Sequence, residues 1–340
     1  MFVAMERPEM NRLNFRAMGC EVEIIVVGPE DLVDEGRRHV ARLELLWSRF
    51  LADSEVNRLN AHAGVPVEVS AETRLLVRCG IEAWRATGGA FDPTMLDAIV
   101  RAGYDRSFDD LDPIDRMAWE ATGDLLPGYP PAPLAIATPG CTDIEVTTRT
   151  VRLPRGIGFD PGGIGKGLAA DLVACGLMAS GASGVCVNIG GDLRVIGESP
   201  SGSGWTIAVE HPWTEEPVAT IGLRHGAVAT SSVLRRVWSQ GGAARHHLLD
   251  PSTGEPTRSD LALASVITAE AWLAEAHAKA VLVRGSGRSS DLLDEASAAL
   301  AVTHSGAILH SETLPRFTGD VVKRELVASG HRRHVGKGAA

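Results

Sequence analysis

Residues 158–171 read GFDPGGIGKGLAAD. Gly158, Gly162, Gly163, Gly165 and Gly167 crowd around Lys166, directly ahead of a run, LAADLVACGLMASG, whose composition predicts a helix. A glycine-rich turn opening a helix offers close backbone N–H groups to an anion, and a lysine there adds charge. Two familiar phosphate loops are excluded by spacing. A Walker A loop with its Gly-Lys at 165–166 requires glycine at 160 and Ser or Thr at 167, where Asp160 and Gly167 stand. A dinucleotide fingerprint begun at Gly156 meets Pro161 where its third glycine belongs. The stretch is an anion cradle of another kind, or a tight strand-to-helix turn with a solvated lysine.

Outward from this junction, strands and helices alternate. Upstream, EVEIIVVG (21–28) predicts a strand, and residues 30–50, apolar at Val33, Val40, Leu43, Leu46 and Trp47, predict an amphipathic helix. Residues 70–89 predict a second helix, with Ser70 as N-cap and Gly88-Gly89 as its stop. Periodicity weakens over 101–150, where LLPGYPPAPLAIATPGC marks an irregular insertion, and TDIEVTTRTVRLP predicts a hairpin. Downstream, GVCVNIGGDLRVIG (184–197), GWTIAVEHP (204–212) and LASVIT (263–268) each read as a strand. AVATSSVLRRVW and RHHLLDPSTGEP read as strand edges and turns, and residues 270–285 read as a helix.

The whole chain sets wide bounds. Its 340 residues, 44% hydrophobic, suffice for a large buried core. A net charge of −10 disfavours nucleic acid as a partner. No leader pattern opens the sequence and no apolar run approaches the roughly 18 residues of a membrane span, so a cytoplasmic protein without membrane insertion is expected. Five cysteines without a CxxC pair suit a reducing compartment.

Candidate chemistry gathers at turns. TGGAFDPTM carries Asp92 and Thr94, and VNIGGDLR carries Asn188, Gly190, Gly191 and Asp192. His246 and His247 are adjacent in a strand-like segment and so face opposite ways; one can serve as a general base, with Asp250 at the next turn. Glu275 and Lys279, four apart on an alanine-rich helix, are either a surface ion pair or two groups projecting into a site.

In order along the chain, AMGCEVEI, WSRFLADSEVNRLN, TGGAFDPTM, GFDPGGIGKGLAAD, VNIGGDLRVIG, AVATSS, HHLLDPSTGEP and AEAHAKAVLVRG resemble the motifs of the ApbE family of flavin transferases. The likeness spans residues 12–318, leaving 1–11 as an N-terminal extension and 319–340 as a basic, Gly- and Ala-rich tail expected to be disordered. It implies a single-chain α+β fold of mixed and antiparallel sheets with packed helices, two lobes flanking an FAD cleft. It also implies an FAD:protein FMN transferase, which moves FMN from FAD to a threonine hydroxyl of an acceptor protein as a phosphoester, releases AMP, and uses Mg²⁺ at the pyrophosphate. The acceptor threonine would end a segment resembling Asp-(Gly/Ser)-x-x-(Ser/Thr)-(Gly/Ala)-Ala-Thr.

Carried over position by position, the resemblance implies that Met18, Ser54, Glu55, Asn60, Asp92, Thr94, Gly162, Gly163, Lys166, Gly190, Gly191, Thr230, Ser231 and His247 surround the flavin and adenosine. His247 becomes the base for the threonine proton, Asp250 its loop support, Lys166 a catalytic cation, and the Gly165 carbonyl a metal ligand with Glu275. Four positions depart from the family pattern. Glu275 and Lys279 stand where an Asp and a Thr or Ser usually bind metal, Phe50 replaces a polar residue near the flavin, and Ser232 replaces a glycine. An ammonium cannot ligate a metal. Loss of transfer through Glu275 and Lys279 gives one alternative, an FAD-binding protein, and an FAD pyrophosphatase yielding FMN and AMP is another, which the missing hydroxyl at Phe50 disfavours.

Overall fold

The computed structural model describes residues 9–111, 140–240, 243–289, 293 and 297–318. Eight strands build one sheet: β1 (Met10–Ala17), β2 (Cys20–Val27), β3 (Gly184–Ile189), β4 (Asp192–Gly197), β5 (Gly226–Ser232), β6 (Leu261–Thr268), β7 (Ala298–Thr303) and β8 (Ile308–His310). Their order in space is their order in the chain, and every neighbouring pair is antiparallel. Among the described residues six α-helices interrupt this meander: α1 (Asp31–Trp47), α2 (Glu55–Ala61), α3 (Ala71–Ala86) and α4 (Leu96–Arg101), then α5 (Gly165–Ala179) before β3 and α6 (Ala271–Arg284) after β6.

Side chains alternate across the sheet, so each strand feeds two cores. Val22, Ile24, Val26, Val185 and Val187 face Val40 and Leu43 of α1 and Val173 and Leu177 of α5. On the other face Cys186, Leu193, Val195, Val228 and Leu300 meet Trp205 and Ile221, which belong to a hairpin of Trp205–Val209 with Ala219–Leu223. Small residues decide where the last helix sits. Ala264, Ala299 and Ala301 lower the sheet surface under α6, itself rich in buried alanine.

Several expectations change in the fold. Residues 184–197 form a hairpin instead of one strand, because Gly190 and Gly191 take φ of +62° and +96°, the left-handed turn that a two-residue β-hairpin favours. Asn188 Oδ1 closes the turn by accepting from Gly191 N–H at 2.9 Å. Helix α5 starts at Gly165, so part of the glycine loop is already helix. Met10 and Asn11, assigned above to an extension, begin β1. The tail 319–340 lies outside the described residues, as does 112–139 of the insertion. The hairpin expected near 142–154 is present as Glu145–Val146 with Thr150–Arg152, and Ser70 caps α3, its Oγ accepting from Thr73 N–H at 3.2 Å.

Candidate active site

A cleft of about 670 Å³ opens between the chain's first 110 residues and the segments 160–166, 236–251 and 279–283. One wall begins at the β1–β2 turn, where Met18 takes φ +52° and its N–H donates to Glu44 Oε1 at 2.8 Å, tying the turn to α1. Met18 and Arg236 are the only non-glycine residues with positive φ among the described residues, and both line the cleft. Unfavourable backbone held in place by its surroundings concentrates at functional sites.

Past the end of α1 the chain lays down an aromatic and cationic ledge. The Arg49 guanidinium sits 4.3 Å from the Phe50 ring centroid and 4.5 Å from that of Tyr104, and it donates to the Tyr104 carbonyl at 2.7 Å. Tyr104 also packs on Trp238, with centroids 5.3 Å apart. Phe50, one of the departures noted above, is thereby an apolar part of the cleft lining, stacked against Arg49.

The floor is a buried charge cluster. Lys166, in the first turn of α5, donates to Asp192 and, at 2.9 Å, to Glu275 Oε1. Lys279 donates to the same Glu275 oxygen at 3.1 Å, while Glu275 Oε2 accepts from Gly167 N–H at 2.8 Å. Glu275 is 0% exposed, so the pair at 275 and 279 projects into the site and is not a surface ion pair. Burial pushes the Glu275 carboxyl upward, but the two ammonium groups outweigh it and hold the group at about 2. Burial and the neighbouring Glu275 charge raise Asp192 to about 6. Lys166 is held above its ordinary value because its two carboxylate partners overcome desolvation; Lys279, with one such partner, is lowered by burial.

The proposed base stands at the edge of this floor. His246 turns inward, donating from Nε2 to the Thr257 carbonyl at 3.2 Å, and His247 lines the cleft, so the adjacent histidines do face apart. Burial, reinforced by Arg236 and His246, drives His247 well below the ordinary histidine value, so its ring is neutral near pH 7. Its Nδ1 is buried without a partner. Asp250 accepts from Ser252 N–H at 2.8 Å and stiffens the turn that follows.

The residues singled out in the sequence divide into two groups. Met18, Asp92, Gly162, Gly163, Gly165, Lys166, His247 and Lys279 line the cleft. Ser54, Glu55, Asn60, Thr94, Gly190, Gly191, Thr230 and Ser231 lie outside its lining. Ser54 caps α2; Glu55 accepts from Ser70 N–H at 3.0 Å; and Asn60 clasps the backbone of Phe159 through bonds of 2.7 and 3.0 Å. Thr94 donates to Asp92 at 2.5 Å, Thr230 bonds Ser265 at 2.6 Å, and Ser232 donates to the Ala262 carbonyl at 2.8 Å. Arg49, Tyr104 and Arg236 were not anticipated. Nothing in linear order ranks them above other surface arginines and aromatics; only the pairing of Trp238 and Tyr104 across the fold brings them together.

The sequence model of the ApbE family matches residues 18–303, most of the chain and all of the cleft-forming segments. The chain belongs to the ApbE family. An FAD:protein FMN transferase of Vibrio cholerae is 28% identical over 246 residues, covering 71% of this chain and 70% of that protein. One from Rhodobacter capsulatus is 29% identical over 251 residues, covering 73% of this chain and 45% of that longer protein. The crystal structure of the ApbE protein of Thermotoga maritima superposes with a TM-score of 0.78 at 28% identity, covering 92% of this chain and all of the other.

Within that family the metal-ligand positions can be tested on this chain's own atoms. Mg²⁺ requires near-octahedral oxygen ligation at about 2.0–2.1 Å. Both Glu275 oxygens are engaged by ammonium or amide donors, Asp192 is held by Lys166, and Lys279 has no lone pair to offer. Among the described residues no group of three or more His, Cys, Asp or Glu side chains is placed to hold a metal ion. The donor set at this position does not fit a divalent cation.

Proposed function

We propose that this chain is an FAD:protein FMN transferase, binding FAD in the cleft and moving its FMN part to a threonine hydroxyl of an acceptor protein. The observation that carries the reading is the juxtaposition, in one cleft of about 670 Å³, of two ammonium groups, a flat aromatic ledge and a neutral histidine. That set suits a dinucleotide whose pyrophosphate is to be split. The named activity of the Vibrio and Rhodobacter relatives supports it.

In this reading the threonine oxygen attacks the phosphorus nearest the flavin, the bond from that phosphorus to the bridging oxygen breaks, and AMP departs with the electron pair. His247 takes the threonine proton, which its depressed basicity leaves room to do near neutral pH. Lys166 and Lys279 offset charge that builds on the phosphate oxygens. Asp92 and the 162–163 backbone border the same space and orient the ligand. Mg²⁺, the ion the family resemblance implies, has no step here. No helix among the described residues is long and apolar enough to cross a membrane, and five free thiols favour a reducing, cytoplasmic setting as the proposed location.

The test is to incubate the protein with FAD and an acceptor domain bearing the threonine motif, reading AMP by chromatography and acceptor mass by spectrometry. A gain of one FMN per acceptor with matching AMP is expected. FMN and AMP formed without acceptor would replace transfer by hydrolysis, and bound FAD without AMP would leave a binding protein.

A further inference from the structure

The carboxylates a cation would need at the cleft floor are not the groups the cleft meets. Glu275 and Asp192 are 0% and 1% exposed and lie outside the lining, whereas Lys166 and Lys279 form part of it. The two ammonium groups share Glu275 Oε1, at 2.9 and 3.1 Å, so they stand within about 6 Å of one another. A ligand entering the cleft therefore encounters paired positive charge backed by buried negative charge.

We infer that Lys166 and Lys279, seated on Glu275 and Asp192, form a fixed dication that receives the pyrophosphate directly, making this member of the family independent of divalent metal. The inference rests on the FAD reading above and goes further by making these two side chains, as seated on Glu275 and Asp192, sufficient without a divalent metal. Three features support it. The spacing of the ammonium groups suits two phosphates joined through one oxygen. Both Glu275 oxygens are engaged, Oε1 by the two lysines and Oε2 by Gly167 N–H, so the negative charge a metal would need is already balanced by two cations. A dication entering here would also lie against two like charges in a site shielded from solvent, where their repulsion is poorly screened. Lys279 sits one helical turn beyond Glu275, so a single helix holds the anchor and the cation in register.

The experiment measures FAD binding by flavin fluorescence on the full chain, in EDTA and in millimolar Mg²⁺, alongside calorimetric titration of Mg²⁺ into the protein alone. Equal FAD affinity in the two buffers, within about twofold, and no saturable Mg²⁺ binding are expected. Lys279→Gln, with its fold checked by circular dichroism, should weaken FAD binding about tenfold or more, as loss of a charge-assisted bond does. Lys279→Arg, which keeps the charge, should recover most of that affinity in EDTA. FAD binding that requires Mg²⁺, saturable Mg²⁺ uptake by the protein, or unchanged affinity in the Gln variant overturns the dication while leaving the FAD reading in place. Absence of FAD binding in either buffer overturns the FAD reading, and the dication with it.

Discussion

At the level of single residues, the site depends on groups whose ordinary behaviour is altered by their neighbours. His247 is a candidate base because burial keeps it neutral, not because histidine is basic at pH 7. His247→Ala is expected to lower FMN transfer by about 10²-fold or more, while FAD affinity changes only a few-fold. AMP release and flavin fluorescence, measured on the same preparation, separate the two effects. Glu275 poses the opposite case, a charge that must remain. Glu275→Gln leaves two buried ammonium groups without their shared carboxylate and is expected to destabilise the fold by about 3–5 kcal/mol. Urea denaturation checks this; a loss below about 1 kcal/mol would mean that Asp192 alone compensates both cations.

Between elements, the decisive contact is that of α5 with α6. A Cβ on Gly167 would stand 2.4 Å from the Ala271 carbonyl oxygen, which is backbone and cannot swing aside. Gly167→Ala is therefore expected to push the helices apart, cost about 1–3 kcal/mol, and weaken FAD binding by moving Lys166 away from Glu275. Gly165→Ala, whose Cβ would meet only the Pro161 side chain at 3.5 Å, should change stability by about 0.5 kcal/mol or less. Thermal denaturation of both variants tests the contrast. Of the glycines first noticed as a phosphate cradle, this one serves helix packing instead. The Ser-Glu pair at 54–55 behaves similarly: Ser54 caps α2, and Glu55 accepts from Ser70 N–H at the start of α3, tying the two helices together.

For the molecule as a whole, the buried histidine beside the site links stability to pH. His246 is held neutral by burial, down to about 4, with Nε2–H on Thr257 and Nδ1 accepting from Leu248 N–H. The unfolded chain takes up this proton near pH 6.5, so between about 6.5 and 4 the unfolded state binds more protons and stability falls as the pH drops. The contribution lost across that window is about 3 kcal/mol. Urea midpoints measured at pH 7.5 and pH 5 should fall for the wild type, and His246→Gln should reduce that fall; an equal fall in both proteins would assign it to other groups. The two bonds that hold the neutral ring both come from the same stretch of chain, Leu248 two residues on and Thr257 eleven residues on, so the pH response reports the integrity of the 243–257 segment beside the site.

Local pattern was enough for much of this protein. The strand at 20–27, helices α1, α3, α5 and α6, and the Ser70 cap follow from periodicity and capping chemistry, because each is satisfied by neighbours within a few residues. The ordered motifs likewise identified the family. What required tertiary structure is every relation over long separations. Whether Glu275 and Lys279 lie on the surface or in the floor depends on where α6 is buried, and alanines on two neighbouring strands, β6 and β7, decide that. Lys166 finds Asp192 and Glu275 across 26 and 109 residues, and Arg49 finds Tyr104 across 55. Sequence alone determined the kinds of element and the chemistry available, whereas the fold decided which charges meet, since burial and proximity are properties of the packed chain and set how each group behaves.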